Sequence, residues 1–177
     1  MASLRIVGGI LAGRIIQAPR GATTHPMSER LRSALFNSLG ELSQLKVLYA
    51  FGGSGALGIE AVSRGATDVV IIERDRQVFD YLNDNVALLN LDANVRISRA
   101  NCYSWLKANK LSFDLILADP PYQEFNPDQL VKLAGYLNSN GLLVISAPSD
   151  QEFKFKNLRL VQRRTYGNAS LHYWRKT

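Results

Sequence analysis

Cysteine and histidine are scarce in this chain of 177 residues, which holds one cysteine, Cys102, and two histidines. A single thiol excludes an intrachain disulfide and a cysteine-based metal cluster. His25 and His172 lie far apart in sequence and lack ligand spacing, so we predict no metal site. Long apolar runs are missing as well, since none approaches the roughly 20 residues of a membrane span. Met1–Arg5 also lacks the apolar stretch of a secretory signal, and we therefore expect a cytoplasmic protein with no membrane partner.

Acidic side chains are scarce at both ends of the chain. The net charge is +6, and residues 1–40 hold five arginines against one acid, while residues 151–177 hold seven basic side chains against one acid. Residues 41–150 are net acidic, with nine basic and thirteen acidic side chains. Basic surfaces of this kind are typical of proteins that contact the phosphates of nucleic acid. Ordinary solvated surface charge explains the same asymmetry equally well.

Residues 1–40 have the pattern of an extension. Leu4–Val7 and Arg14–Gln17 predict two short strands joined by a glycine-containing turn. Ser28 is placed to cap a helix whose apolar stripe runs from Leu31 to Leu39, and Gly40 is placed to end it. The arginines at positions 30 and 32 fall off that stripe, so we expect both to face a partner. We therefore divide the chain into an extension, 1–40, and a main domain, 41–177.

From residue 46 onward, apolar runs alternate with helical stretches. The runs cover 47–51, 69–72, 95–97, 115–118 and 142–145, and the helical stretches lie near 56–64, 76–90, 103–109 and 127–138. Continuous apolar strands separated by helices predict a parallel α/β sheet. The pattern then changes to period two over Leu158–Thr165 and Ser170–Arg175, around Tyr166-Gly167-Asn168, which predicts an antiparallel hairpin.

The first buried strand leads into a glycine-rich loop, Phe51-Gly52-Gly53-Ser54-Gly55. Glycines allow a ligand to approach the backbone closely, and the helix that follows turns free N–H groups toward it. Glu73 lies twenty residues past Gly53, which suits an acid that binds a ribose diol. The loop therefore predicts an adenosine-containing cofactor. NAD fits less well than adenosylmethionine because the chain is short for a second substrate domain and shows no hydride-transfer acid or base; a plain tight turn without ligand is the remaining alternative.

A second motif, Asp119-Pro120-Pro121-Tyr122, follows another buried strand, at the sheet edge where ligands bind in α/β proteins. An exocyclic amine on a nucleobase is a poor nucleophile because its lone pair is delocalised into the ring. Two acceptors on its hydrogens, the Asp119 carboxylate and the Pro120 carbonyl, would localise that lone pair. Tyr122 offers a flat surface on which a base can stack. We predict Asp119, Pro120 and Tyr122 as catalytic residues of a methyl transfer.

Several stretches match the motifs of one family: Arg5–Gly9, Gly13-Arg14, Thr24–Arg32, Ala34–Asn37, Gly53–Ala61, Ser63–Ala66, Asp119–Tyr122 and Tyr166-Gly167. Over nearly its whole length the chain thus resembles the bacterial small-subunit ribosomal RNA guanine-N2 methyltransferases. The glycine-loop and N-terminal stretches discriminate best, since Asp-Pro-Pro-Tyr also occurs in DNA adenine methyltransferases. The resemblance implies a Rossmann-like class I methyltransferase fold, with a mostly parallel seven-stranded sheet, an antiparallel C-terminal hairpin and an N-terminal β-hairpin extension.

The resemblance also implies the ligands. The cofactor would be S-adenosyl-L-methionine, bound by Phe51, Gly53, Ser54, Gly55, Glu73, Arg74, Asn101 and Cys102. The partner would be 16S ribosomal RNA or the assembling 30S subunit, contacted by Arg14, Arg20, His25, Arg30, Arg32, Arg163 and Arg164. We expect a monomer.

Four positions depart from the family pattern. An acid is usual where Tyr49 stands, alanine at Gly52, arginine at His25 and aspartate at Asn101. Asn101 can still accept a hydrogen bond from an adenine through its amide oxygen. The loss of two acids beside the cofactor leaves open a catalytically weakened RNA-binding or ribosome-assembly factor. A DNA amino-methyltransferase is a further alternative, although no stretch resembles a target-recognition domain.

Overall fold

The computed structural model describes residues 2–18 and 26–177. The extension comprises β1 (Ala2–Arg5), a short 3-10 turn (Gly9–Leu11), β2 (Ile15–Ala18) and α1 (Glu29–Leu39). β1 and β2 pair antiparallel as a separate two-stranded sheet, with Ser3 opposite Gln17. The Ser28 side chain accepts a hydrogen bond from the Leu31 amide, and the Gly40 amide donates to the Phe36 carbonyl. The predicted start and stop of this helix are therefore confirmed.

The main domain alternates strands and helices in the predicted order. Its elements are β3 (Lys46–Tyr49), α2 (Ala56–Ser63), β4 (Asp68–Glu73), α3 (Arg76–Leu88), β5 (Val95–Arg99), α4 (Cys102–Asn109), β6 (Phe113–Ala118), α5 (Pro127–Lys132), β7 (Leu137–Pro148), β8 (Leu158–Tyr166) and β9 (Ala169–Lys176). Among these residues, no helix is both long enough and apolar enough to span a membrane.

The seven strands of the main domain form one sheet in the order β5-β4-β3-β6-β7-β9-β8. β3 to β7 pair in parallel, and β9 inserts antiparallel between β7 and the edge strand β8. The predicted mostly parallel sheet with an antiparallel C-terminal hairpin is confirmed. Because the strand order reverses between β3 and β6, a crevice opens there at the carboxyl ends of the strands.

Alternate residues of each central strand supply two separate cores, one on each face of the sheet. Val47 and Leu117 belong to the core beneath α1, α2, α3 and the N-terminal hairpin. Leu48 and Ile116 belong to the core beneath α4 and α5. Burial on both faces explains why these strands read as continuous apolar runs in the sequence.

One predicted helix is wrong in extent. The stretch 127–138 was expected to be helical throughout, but α5 ends at Lys132 and a single 3-10 turn follows to Tyr136. Gly135 lies in that turn and disfavours a longer helix. Leu137 then pairs with Phe113 as the first residue of β7, so tertiary pairing in the sheet overrides the local helical pattern.

The N-terminal hairpin docks on α2 and α3 through side chains of the main domain. Glu60 accepts a hydrogen bond from the Val7 amide at 3.0 Å, and the Ser63 hydroxyl accepts one from the Leu11 amide at 2.9 Å. Gly9 has a φ of +74° and lies so close to α2 that an added Cβ would sit 1.8 Å from the Ser63 carbonyl oxygen. The turn therefore needs glycine both for its backbone conformation and for its close approach.

Arg32 corrects a prediction. Its side chain was expected to face RNA, but it is fully buried between the hairpin and α2. The guanidinium donates to the carbonyl oxygens of Met27 and Arg5 and lies 3.9 Å from the Glu60 carboxylate. The helix has two buried faces, one against the sheet and one against the hairpin, and the apolar stripe marks only the first.

Candidate active site

A cavity of about 900 Å³ occupies the crevice at the carboxyl ends of β3, β4 and β6. Ten of the eleven predicted catalytic and cofactor residues line it, together with Pro121: Phe51, Gly53, Ser54, Glu73, Arg74, Asn101, Cys102, Asp119, Pro120 and Tyr122. The eleventh, Gly55, does not line the cavity; it caps the start of α2. One cavity is therefore shared by the glycine loop and the Asp-Pro-Pro-Tyr motif. Its volume lies within the range usual for small-molecule sites.

The glycine loop turns the chain from β3 into α2 in a conformation that requires glycine. Gly55 has a φ of +83°, and an added Cβ would lie 2.5 Å from the Leu82 Cδ1 atom. The Gly55 amide donates to the Gly52 carbonyl at 2.8 Å, which closes the turn. Side chains larger than hydrogen would both strain the backbone and collide with α3.

Glu73, at the end of β4, is held by two backbone amides. One carboxylate oxygen accepts from Gly53 at 2.8 Å and the other accepts from Asp75 at 2.8 Å. The carboxylate is thus fixed against the glycine loop, and each oxygen keeps a lone pair for a further donor. This is a suitable arrangement for binding two neighbouring hydroxyl groups.

Asn101 caps α4. The prediction that its amide oxygen would accept a hydrogen bond from an adenine is therefore wrong. Its Oδ1 atom accepts hydrogen bonds from the Tyr103 and Ser104 amides at 3.1 and 3.2 Å. Both lone pairs of the oxygen are therefore used within the helix cap. The remaining polar group is the NH2, so Asn101 offers a ligand donors rather than an acceptor.

Cys102 and Tyr103 follow Asn101 along the cavity wall. Burial raises the pKa of the Cys102 thiol to about 12, so the thiol stays protonated and serves as a small apolar wall residue. Tyr103, which sequence reasoning missed, packs edge-on against Phe51 with 6.4 Å between ring centroids. These two rings form an aromatic corner beside the end of β3. An aromatic residue two positions after the expected adenine-binding Asn101 was the available signal.

Asp119, at the end of β6, is the titratable group most directly placed for chemistry. Burial raises the pKa of its carboxyl to about 6, while a hydrogen bond from the Ser146 hydroxyl acts in the opposite direction. Ser146 is itself buried on β7 and lines the cavity. Sequence reasoning missed Ser146, although a polar residue directly after the apolar run 142–145, on the strand next to β6, was an available signal.

Tyr122 presents its ring at the mouth of the cavity. The side chain is 45% exposed, and its hydroxyl donates to the Ala147 carbonyl at 3.2 Å. This bond anchors the hydroxyl end of the ring on β7, while nearly half of the residue surface stays exposed. Such a ring is a ready platform for stacking a planar group.

Tyr49 stands at the end of β3 and closes the bottom of the cavity. It is 6% exposed, and its pKa is raised well above the ordinary value, mainly by burial and then by the negative charges of Asp119 and Glu73. The phenol is therefore neutral. The family pattern has an acid at this position, and Tyr49 instead presents an uncharged hydroxyl group.

The extension supplies part of the cavity wall through Pro26, Met27 and Leu31. No local pattern singles out these residues, because their role depends on how the extension packs on the main domain.

Of the predicted RNA-contacting arginines, those at positions 14, 30, 163 and 164 are exposed, and Arg163 donates to the Ser149 carbonyl at 2.8 Å. Arg20 and His25 lie outside the residues that the structure describes.

Comparisons with known proteins agree with this architecture. The family model described as "Conserved hypothetical protein 95" matches residues 4–175. The Ribosomal RNA small subunit methyltransferase D of Escherichia coli K12 is 34% identical over 145 residues, which cover 81% of this chain and 71% of that protein. The protein of the same name from Haemophilus influenzae is 29% identical over 175 residues, 94% of this chain and 91% of that one.

Solved structures extend the likeness to the whole fold. An Escherichia coli protein provisionally named a methyltransferase superposes with a TM-score of 0.86 at 29% identity, covering 99% of this chain and 98% of that one. A hypothetical protein from a Thermus species superposes with a TM-score of 0.80, also at 29% identity, covering 96% of this chain and 98% of that one.

Proposed function

The chain belongs to the Conserved hypothetical protein 95 family, and from this premise we propose that it is an S-adenosylmethionine-dependent methyltransferase acting on the exocyclic N2 amino group of a guanine in 16S ribosomal RNA. The observation that carries the proposal is the shared cavity. The glycine loop with Glu73 lies on one side of it, and Asp119-Pro120-Pro121-Tyr122 lies on the other. A cofactor and a nucleobase bound in these two places would meet. The curated relatives named for methylation of small-subunit ribosomal RNA support the substrate class.

The residues on the cofactor side fit adenosylmethionine. When bound, this cofactor supplies a methyl group on a positively charged sulfur. Glu73 is held so that its free lone pairs can accept the two ribose hydroxyls. Phe51 and Tyr103 offer an apolar corner for an adenine ring, and the Asn101 NH2 can donate to a ring nitrogen. The glycine loop and Arg74 complete this side of the cavity.

The residues on the base side fit an exocyclic amine. The target base would leave its stack and lie against the Tyr122 ring. The Asp119 carboxylate and the Pro120 carbonyl would accept hydrogen bonds from the NH2 group and hold its lone pair toward the methyl carbon. Adenosylmethionine held on the other side of the cavity would supply the methyl group to this nitrogen. The surplus proton leaves the nitrogen to the Asp119 carboxylate or to water.

Asp119 is suited to this acceptor role at neutral pH. With a pKa of about 6, the carboxyl is mostly ionised at pH 7.5 yet basic enough to accept a proton during the transfer. Alignment of the reacting atoms would supply most of the acceleration. The rate should therefore fall as the pH drops through about 6.

The two ends of the chain would hold the RNA. Arg14 and Arg30 on the extension and Arg163 and Arg164 on β8 are exposed and can neutralise phosphates. We assign RNA contact to residues 1–40 and methyl transfer to residues 41–177, acting as a monomer on 16S RNA or the assembling 30S subunit. Met27 and Leu31 would bring the extension to the cofactor cavity itself.

The proposal is tested by mass-spectrometric mapping of methylated nucleosides in ribosomal RNA from cells with and without the gene. We expect one N2-methylguanosine in 16S RNA to vanish on deletion and to return with the parent gene. Asp119→Ala should fail to restore it while binding adenosylmethionine nearly as well as the parent. Asp80→Ala, which removes an exposed carboxylate from α3, is the matched control and should restore the modification. An unchanged nucleoside map on deletion would refute the substrate, and full restoration by Asp119→Ala would refute the catalytic role.

Two residues favour a second candidate, an RNA-binding or assembly factor with weakened catalysis. Tyr49 and Asn101 present neutral groups where the family usually has acids, and the Asn101 oxygen is used by its helix cap. Isothermal titration of the parent protein with adenosylmethionine separates the two candidates. Measurable binding supports the enzyme, whereas no heat at millimolar ligand supports the binding factor.

A further inference from the structure

Asn85 on α3 is a buried polar residue that the proposed chemistry does not use. Its side chain is 1% exposed. The Oδ1 atom accepts a hydrogen bond from the Gln17 amide at 2.8 Å, and the Nδ2 atom donates to the Gln17 carbonyl at 2.8 Å and to the Ser54 carbonyl at 3.0 Å. Both amide hydrogens are thus used, and both are directed at backbone oxygens.

The partners of Asn85 belong to the two functional parts of the molecule. Gln17 is in β2, and Asn85 pairs with its N–H and C=O as a neighbouring strand would, which satisfies the outer edge of the N-terminal hairpin. Ser54 is in the glycine loop, between two glycines with positive φ. One side chain therefore connects the proposed RNA-contacting extension to the proposed cofactor loop.

The glycine loop depends on such contacts for its shape. Gly53 and Gly55 have no Cβ to restrict their backbone angles, so hydrogen bonds must select one conformation among many. Glu73 holds the loop on one side through the Gly53 amide, and Asn85 holds it on the other through the Ser54 carbonyl. If the peptide between Ser54 and Gly55 rotated, the Ser54 carbonyl and the Gly55 amide would turn together. The turn that begins α2 would then be lost.

We propose that Asn85 is a positioning residue that couples docking of the N-terminal hairpin to the binding conformation of the cofactor loop. The coupling rests on the proposed function for the identity of the cofactor. It works in both directions, because any effect of hairpin docking on cofactor affinity must be matched by an effect of cofactor on hairpin docking. Cofactor binding would therefore prepare the extension for RNA, and a docked extension would strengthen cofactor binding.

The test compares Asn85→Asp with Ser63→Ala. Asn85→Asp keeps the size of the side chain and the acceptor for the Gln17 amide, but it places a carboxylate oxygen against the carbonyls of Gln17 and Ser54. Ser63→Ala removes bonds that also hold the hairpin, to Leu11 and Gly8, and leaves the glycine loop untouched. The pair thus separates loosening of the hairpin from loosening of the loop.

Two measurements are made on each protein. Hydrogen exchange, read by mass spectrometry on cofactor-free protein, follows the Gln17, Leu11 and Gly55 amides, and calorimetry gives the affinity for adenosylmethionine. For Asn85→Asp we expect faster exchange at Gln17 and Gly55 and an affinity about tenfold weaker, as expected for loss of a buried hydrogen bond. For Ser63→Ala we expect faster exchange at Leu11 and a smaller loss of affinity, about two- to threefold, because the loosened hairpin acts on the loop only through an intact Asn85. Unchanged affinity and unchanged Gly55 exchange in Asn85→Asp would overturn the proposal.

A measurement on the parent protein covers the case in which Asn85→Asp does not fold. Saturating adenosylmethionine should slow exchange at the Gln17 amide, which lies on the far side of Asn85 from the loop. Equal exchange at Gln17 with and without bound ligand would overturn the coupling. If the parent protein bound no adenosylmethionine, the proposed cofactor would be refuted. The role of Asn85 would still be tested in that case, because hydrogen exchange at Gly55 is compared between cofactor-free parent and variants.

Discussion

The described residues include an N-terminal hairpin, β1 and β2, and a C-terminal hairpin, β8 and β9, which are attached by different means. The C-terminal hairpin continues the main sheet, because β9 pairs with β7 along seven residue positions from Leu142 to Pro148. The N-terminal hairpin forms a sheet of its own and is attached by side chains: Ile6 and Ile16 are buried in the core, and Glu60, Ser63 and Asn85 accept hydrogen bonds from its backbone. Backbone hydrogen bonds between strands remain when one side chain is removed, whereas a hydrogen bond made by a side chain is lost with it. Single substitutions should therefore release the first hairpin far more easily than the second.

The largest effect is expected from Glu60→Ala. Glu60 is fully buried, contacts Arg32 and Arg64, and accepts from the Val7 amide. Its removal leaves the buried Arg32 guanidinium without its nearest counter-charge, which should lower the free energy of unfolding by about 3–5 kcal/mol. Urea denaturation gives this value. Glu41→Ala, at an exposed site, is the control and should stay within about 0.5 kcal/mol of the parent.

The second prediction concerns pH and the C-terminal hairpin. His172 on β9 is buried, and burial together with the charge of Arg163 lowers its pKa to about 4. Its imidazole is neutral in the folded state, so its contribution to stability is complete above pH 6.5 and is lost as the pH falls toward 4. The contribution of Asp119 to stability depends on pH in the opposite direction. Because its pKa is raised, the protonated carboxyl stabilises the folded state below pH 4, and this stabilisation is lost as the pH rises through 6. The two effects offset each other in the parent protein.

Two variants uncover the separate contributions. In Asp119→Asn only His172 still contributes, so lowering the pH from 7 to 4.5 should decrease the free energy of unfolding by about 1–3 kcal/mol. In His172→Phe only Asp119 still contributes, so the same change of pH should increase the free energy of unfolding by a similar amount. Urea denaturation at several pH values measures both. Identical pH profiles for the two variants would show that neither group titrates as its surroundings indicate.

A smaller effect is expected from Ser63→Ala. The hydroxyl accepts from Leu11 and donates to the Gly8 carbonyl, and both bonds are partly buried. Loss of each neutral hydrogen bond typically lowers the free energy of unfolding by about 1 kcal/mol, so loss of both should lower it by about 1–2 kcal/mol. Thermal unfolding checks this value. A loss as large as that of Glu60→Ala would mean that the hairpin does not depend mainly on the buried charge.

The smallest effect on stability is expected from the double variant Arg163→Ala with Arg164→Ala. Both side chains are exposed on β8, whose backbone pairing holds the hairpin, so the free energy of unfolding should change by less than about 0.5 kcal/mol per site. RNA affinity should fall, with a shallower dependence on salt concentration. The exposed pair Lys107 and Lys110, replaced by alanine, is the charge-matched control. Equal RNA affinity of the two double variants would exclude β8 from the RNA surface.

The sequence predicts the cavity better than it predicts the docking of the extension. Glu73 and Asp119 each follow a buried parallel strand, and such strands end at one edge of a sheet, so local patterns suffice to bring these residues together. Arg32 was assigned wrongly because its partners Arg5 and Glu60 are distant in sequence and no local period encodes the second buried face of α1. Asn85 was missed for the same reason: within its helix it is one polar residue among several, and only the fold places it between Gln17 and Ser54.

The attachment of the N-terminal hairpin has a consequence for the order in which the chain assembles. Glu60, Ser63 and Asn85 all follow the hairpin they hold, so β1 and β2 leave the ribosome well before their docking partners exist. A two-stranded sheet on its own is only marginally stable in water. β1 and β2 are therefore synthesised before their docking partners but reach their final position after them, once α3 is complete.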